Sequence, residues 1–378
     1  MRTATCVLAV VLGAVLMLAT ANSVIATLLI PRGRVGGLMR VLERFVGMVF
    51  HLVVRRISDY PRRDGVLAGL APALIMMQLL VWLASFWLAF TLLLVPATAS
   101  PRHAARESVS SMLTLGFTTT TGGWATFVDA VAAVTGLVVI ALQIAYLPTL
   151  YGAFNRRETE VTLLEARAGE PPWGPELLAR TQYGILGVDF AAFFGAWERW
   201  AADIAESHVS YPVLLRFRSP RPLTSWVVAM LSVMDAAALQ AAVAPASTPV
   251  QARLFLRMGF VCLRRLARTA GLTVDEDPRP DGPLELTEAD FQVGYDRLVA
   301  DGYPVERSAQ EAWPHFRGWR VNYEAAAYAL AYELDAVPAR WAGSRRDGAD
   351  PMAPVRPPNR TPDAPNGRPV TPRTTSPT

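Results

Sequence analysis

The sequence predicts an all-α fold in two parts, an apolar membrane-spanning part followed by a polar helical part. Three observations carry this. The mean hydropathy is +0.26, with 52% hydrophobic and only 18% charged residues, and the excess lies almost wholly in residues 1–155. That is too apolar for an ordinary soluble chain. Apolar runs over residues 1–30, 74–95 and 127–151 each suffice to cross a hydrocarbon layer of roughly 30 Å at about 1.5 Å per residue. Beyond Glu158, apolar residues recur with a helical period between proline and glycine clusters, and no convincing strand alternation appears.

Composition narrows the classes further. All 36 basic residues are arginine, and with the abundant alanine and proline this suggests a GC-rich, bacterial genome. The net charge of +4 is modest, and the arginines cluster beside apolar segments, so no nucleic-acid partner is expected. Cys6 and Cys262 are too far apart in sequence to suggest a disulfide framework or a metal-ligand spacing.

Taken in order, residues 1–30 resemble a signal peptide in having Arg2, an apolar core and Ala19-Thr20-Ala21. The apolar run continues to Ile30, beyond the usual signal core, and favours an uncleaved spanning helix. Residues 31–63 hold Arg32, Arg34, Arg40, Arg44, Arg55, Arg56, Arg62 and Arg63 against Glu43 and Asp59, which predicts a cytoplasmic loop. Within it Leu38, Val41, Leu42, Phe45, Val46, Val49, Leu52 and Val53 follow helical spacing. This helix either lies in the membrane interface with its arginines reaching headgroups, or packs against the spans. In the second span Gln78 is the one strongly polar interior residue. Trp82 and Trp87 are too central for a headgroup belt and should pack between helices.

Between the second and third spans lies the stretch that organises the chain. Ser100-Pro101 suits a helix start. The helix over 101–115 is too short and too polar at its beginning to cross a bilayer, yet Val109, Met112, Leu113 and Leu115 crowd its end. A Gly/Thr loop follows. A helix that enters the membrane and leaves through such a loop is a re-entrant element, tolerated at depth only where protein or water surrounds it. Carbonyl oxygens and a threonine hydroxyl in such a loop can replace the hydration shell of an ion, and the helix aims its negative end at the same place.

The run Thr114-Leu115-Gly116-Phe117-Thr118 resembles the filter of the bacterial two-transmembrane, pore-loop potassium channel family, Thr-Val-Gly-Tyr-Gly. The resemblance covers residues 67–157. It implies that Thr114 stands for the filter threonine, Leu115 for the valine, Gly116 for the first glycine and Phe117 for the aromatic residue. Thr118 replaces the second glycine and Thr119 the acidic residue, so strain is expected at Thr118. The loop is also similar to the single-glycine filters of potassium-uptake transporters, which place four loops in one chain. One loop per chain here implies a homotetramer conducting a monovalent cation, potassium by resemblance. The structural alternative is a relic loop that caps a bundle without conducting. In the third span Gly136 and Pro148 are candidate gating hinges. Gln143 could face a water-filled pore or bond a neighbouring helix. Asp129 suits a solvated helix start, and Arg156-Arg157 should close the span on the cytoplasmic side.

The polar half predicts helices over 175–207, 223–243, 249–270, 287–301 and 313–335, with a short extended piece over 213–217 and a disordered tail from 342. Residues 225–244 are apolar enough for a fourth span, but Asp235 and the preceding arginines favour a buried bundle helix. Trp197, Glu198, Trp200, His208, Tyr211, Arg216, Arg218 and Asp235 are candidates for a ligand pocket or a polar network. Arg253, Arg257, Arg264, Arg265 and Arg268 run down one helix at spacings that put most of them on one side. His208 lacks a second ligand at metal spacing, and no nucleophile elbow, P-loop or paired-carboxylate pattern occurs. No catalytic residue, metal or cofactor is therefore expected.

The predicted domains are 1–63, an N-terminal span and interfacial helix; 64–157, the pore-loop domain; 158–341, a cytoplasmic helical domain; and 342–378, the tail. The predicted product is a multi-pass inner-membrane ion channel with its N-terminus outside. The alternative is a non-conducting membrane anchor or sensor whose cytoplasmic domain binds a partner.

Overall fold

The computed structural model describes residues 2–30, 37–183, 189–346 and 348–355. Expectations for residues 31–36 and 356–378 fall outside the described residues. Among the described residues the regular structure is helical, with two isolated β-bridges besides. The chain forms two compact units, Met1–Val53 with Gly69–Gly152, and Val54–Ala68 with Ala153–Thr378. Residues 54–68 thus group with the C-terminal unit, not with the elements on either side of them in sequence.

The first unit contains α1 (Arg2–Leu28), α2 (Gly37–Val54), α4 (Leu70–Leu94), α5 (Pro101–Met112) and the first part of α6 (Gly123–Ala168). Its core packs Val24 of α1, Trp82, Phe86, Phe90 and Leu94 of α4, Ala104 and Met112 of α5, and Val128, Ala132 and Val139 of α6. Trp82 is fully buried, and its indole N–H donates to Ser23 Oγ of α1 at 3.1 Å. An indole buried in apolar surroundings needs such a partner.

Four helices are long and apolar enough to cross a membrane. In the most apolar windows of α1, α4 and α6 only 17%, 33% and 28% of residues are buried by protein, whereas the window in α9 (Trp226–Val243) is 100% buried. The first three present apolar surface that water would not tolerate. The fourth has already buried its own and is a bundle helix, as Asp235 suggested.

α6 departs from expectation. It does not end at Arg156-Arg157 but runs unbroken for 46 residues, with Pro148 inside it. Its last three turns carry Val161, Leu164 and Ala168 into the core of the C-terminal unit. Apolar spacing therefore continues past the arginines that looked like a stop signal.

The C-terminal unit is built around α9. It also contains α3 (Tyr60–Leu67), α7 (Gly174–Ala179), α8 (Phe190–Ser210), α10 (Val250–Thr269), α11 (Glu288–Ala300), α12 (Ala309–Arg320) and α13 (Glu324–Glu333). Two expected helices are each divided. The stretch 175–207 becomes α7 and α8, and α8 restarts at Asp189, whose carboxylate accepts the N–H groups of Ala191 and Ala192 at 2.9 and 3.1 Å. The stretch 313–335 becomes α12 and α13, because Tyr323 turns fully inward to donate to Asp235 at 2.7 Å. Residues 212–216 form a 3-10 turn, not an extended piece, begun by Pro212.

The tail is also corrected. Arg345 is buried, and its guanidinium donates to the carbonyls of Ala336, Val337, Ala342, Gly343 and Ser344 at 2.6–3.1 Å. Glu170 and Val355 bridge through paired backbone hydrogen bonds. Residues 342–346 and 348–355 therefore belong to the folded unit. One arginine that fills a ring of carbonyls replaces the apolar periodicity the sequence lacks there.

Beside α9, Arg320 is fully buried and ion-paired to Asp235 and to Glu324 Oε2 (2.6 Å), and it donates to Tyr328 Oη and the Trp341 carbonyl, both at 2.7 Å. Breaking a buried pair from one side leaves an uncompensated charge, costing about 3–5 kcal/mol. Arg320→Met, which leaves the buried Asp235 and Glu324 carboxylates without their cation, should destabilise the C-terminal unit by about that amount. Combining it with Asp235→Ala and Glu324→Gln should recover much of the loss, as read by thermal unfolding in detergent.

Candidate functional site

The loop after α5 is positioned by its own helix. Ser100 Oγ accepts the His103 N–H at 3.3 Å, and Pro101 takes the first turn. At the other end α5 stops at Met112, three residues before the sequence expectation. Thr114 N–H bonds the Ser111 carbonyl at 3.0 Å and Leu115 N–H the Ser110 carbonyl at 2.7 Å. That is a Schellman end, and it places Thr114 in the left-handed region at φ 54°. Gly116 follows at φ 68°. Thr118, where strain was expected, is not among the residues with positive φ. The strained β-branched position is Thr114 instead, held by the two hydrogen bonds that end the helix.

The next N–H groups also turn back onto α5. Those of Phe117 and Thr118 donate to Ser110 Oγ at 3.0 and 3.3 Å. Thr120 N–H donates to Glu107 Oε1 at 2.6 Å, and the Thr120 hydroxyl donates to Glu107 Oε2. Ser110 and Glu107 are both buried, at 1% and 0% exposure. His103 Nε2 lies 3.3 Å from Thr120 Oγ1. Five loop N–H groups are thus consumed by α5. Among the described residues, no hydrogen bond is accepted by the carbonyls of Thr114, Leu115, Gly116 or Phe117. Leu115 and Phe117 are more than half exposed on the single chain.

α5 is in turn fixed to the spans. Trp87 Nε1–H donates to the Ala105 carbonyl, and Ser108 Oγ donates to the Trp87 carbonyl, both at 3.0 Å. Ser111 Oγ donates to Asp129 Oδ1 at 2.6 Å, so Asp129 joins α5 to α6 and is not a solvated cap. Gly136 meets the end of α5: a Cβ there would lie 2.0 Å from the Met112 carbonyl oxygen. Close packing therefore explains Gly136, and α6 continues unbroken through it. Gln143 is buried within the chain, not on an open face.

The structure does not bring the predicted cytoplasmic pocket together. Trp197 and Trp200 pack in the core with ring centroids 4.5 Å apart, and Trp200 Nε1–H donates to the Arg157 carbonyl at 3.0 Å. His208 is fully buried beside Arg157, whose guanidinium donates to His208 Nε2 (3.1 Å) and to the carbonyls of Leu214 (2.9 Å) and Phe217 (2.8 Å). A guanidinium can only donate, so Nε2 accepts and the ring proton sits on Nδ1. Arg218 belongs to another node. It pairs with Asp64 and donates to Tyr60 Oη and the Asp335 carbonyl (both 2.9 Å) and to the Leu334 carbonyl (2.7 Å), while Arg63 pairs with Asp335 at 2.5 Å. Arg216 pairs with Glu333 at 2.9 Å, and Asp235 lies in the Arg320 node. Glu198 and Tyr211 are half-buried. A cavity of about 380 Å³ lies elsewhere, lined among others by Glu285, Asp290, Tyr328, Trp341 and Asp350, and none of the eight predicted residues lines it.

Sequence reasoning missed Glu107 and Ser110, although their spacing of three on one short helix was a usable signal. It also took Arg63 and Arg157 for topology markers when both are buried in polar nodes. Among the described residues no group of His, Cys, Asp or Glu could hold a metal. No protein-family model, characterised protein or solved structure matches this chain.

Two outcomes follow. Gly136→Ala should unseat the end of α5 and lower the thermal stability of the purified protein, whereas Gly65→Ala, where a Cβ meets nothing, should not. Burial first, and the Arg157 charge second, push the His208 pKa well below 6.5. The unfolded state then binds more protons below about pH 6.5, so stability falls as pH drops by about 1.4 kcal/mol per unit until the folded pKa is reached. Unfolding scans between pH 7 and pH 5 should show that loss, and His208→Gln should flatten it.

Proposed function

We propose that this protein is a potassium-channel-like membrane protein that conducts monovalent cations through a pore made by the 114–118 loops of a homotetramer. The observation that carries this reading is the one-sided hydrogen bonding of the loop. Within 114–118 the N–H groups of Thr114, Leu115, Phe117 and Thr118 are bonded back to α5. Among the described residues, of the five carbonyls only that of Thr118 accepts a hydrogen bond, from Ser110 Oγ at 3.4 Å. In apolar surroundings an unpartnered carbonyl costs free energy unless water or a cation meets it. The C-terminal end of α5 adds partial negative charge at the same place. Both features suit a cation and oppose an anion.

One loop supplies one wall. A ring of carbonyls around an axis needs several copies, and four is the number the filter resemblance implies. The exposed Leu115 and Phe117 are then covered by neighbouring copies. With the arginines of residues 32–62 on the cytoplasmic side, the N-terminus and the loop face outward and the C-terminal unit is cytoplasmic, in the bacterial inner membrane. That unit carries the surface for any regulatory partner.

Rubidium uptake into liposomes holding the purified full-length chain tests the reading. Flux well above that of empty liposomes is expected. Gly116→Val should abolish it, because a β-branched residue at φ 68° is strained. Ser110→Ala should reduce it by about tenfold, since the N–H groups of Phe117 and Thr118 lose the acceptor that holds the loop on α5. Native mass measurement should give a tetramer. Flux equal to that of empty liposomes, or a monomer or dimer, would overturn the proposal in favour of a non-conducting anchor.

A further inference from the structure

The helix α2 has two apolar faces and only one of them is used. Leu42 packs against the core of the first unit, and Val46 and Val54 are buried. Val41, Phe45, Met48, Val49, Leu52 and Val53 are exposed, at 42–64%. Arg40 and Arg44 are exposed with them, and among the described residues neither forms an ion pair. Glu43, the one acid of α2, is half-buried.

We infer that α2 is a lipid-binding helix, its open apolar face seated in the bilayer boundary and Arg40 and Arg44 bound to the phosphates of anionic phospholipids. Three features select this occupant. The first unit also contains α1 and α4, which are long and apolar enough to span and expose apolar side chains of the same kind, so α2 adjoins helices that already require lipid. Two unpaired guanidinium groups match phosphate oxygens in charge and in fork geometry. An arginine two or three turns from the open end of an apolar face can extend its stem over that face while its head stays at the polar boundary. A water-exposed stripe of six large apolar residues would otherwise be an aggregation liability.

The test uses the full-length chain in nanodiscs, with a bimane label on Phe45→Cys in a Cys6→Ser background. The discs contain phosphatidylcholine doped with brominated phosphatidylglycerol or, in matched amount, brominated phosphatidylcholine. Bromines on the anionic lipid should quench more strongly, reflecting a local enrichment of roughly fivefold per arginine. Arg40→Gln with Arg44→Gln should make the two lipids equal, and the lysine pair should retain most of the preference. Equal quenching by both lipids in the parent would overturn the inference, because the face would then lie in lipid with no choice of headgroup. Absence of quenching by either would also overturn it and would show the face covered by protein, for instance a second copy. The readout does not depend on ion flux, so it stands or falls apart from the channel proposal.

Discussion

Backbone polar groups withdrawn from water must find partners, and this constraint shapes both units of the chain. In the first unit the short helix α5 meets it for the loop that follows. Two of its terminal carbonyls, the Ser110 hydroxyl and the Glu107 carboxylate take five N–H groups. In the second unit, arginine meets it from the other side. Arg157, Arg218, Arg320 and Arg345 each donate to backbone carbonyls that lie outside the α-helices. A chain whose basic residues are all arginine has a ready supply of such planar donors.

The asymmetry of the loop gives it a chemical character. With most of its donors bonded to α5 and, among the described residues, the carbonyls of residues 114–117 accepting no hydrogen bond, the loop presents partial negative charge from backbone dipoles. On the proposed reading, such dipoles would hold a cation less tightly than a carboxylate does. The Schellman end of α5 contributes twice, since it ends the helix and sets Thr114 left-handed, with Gly116 following in the same region.

The second unit holds the segments on both sides of the spans. α3 precedes α4 directly in sequence, and the last turns of α6 continue its span, yet both belong to the C-terminal unit. The turn Pro212–Arg216 and its neighbours serve each of them. Arg157 of α6 holds the carbonyls of Leu214 and Phe217, and Arg218 one residue on holds Asp64 and Tyr60 of α3. Of the residues that suggested a ligand pocket or a polar network, His208, Arg218 and Asp235 lie in three separate buried nodes, Arg216 pairs with Glu333, and Glu198 and Tyr211 are half-buried.

The sequence by itself determined what depends on local pattern: the three open apolar helices, the start of α5 at Ser100-Pro101, and the helical character of the C-terminal half. Length, period and capping chemistry are local quantities, so they can be read along the chain. Tertiary structure decided what depends on partners. α9 is long and apolar enough to be a span, and unlike α4 it is covered on every side. Arg157 looks like a helix stop until His208 and two distant carbonyls surround it. The tail at Arg345 is ordered by carbonyls that its own sequence does not predict. Gly136 looks like a hinge until the end of α5 closes against it. In each case the deciding atoms lie on another element, and the free energy of burial depends on whether they are there.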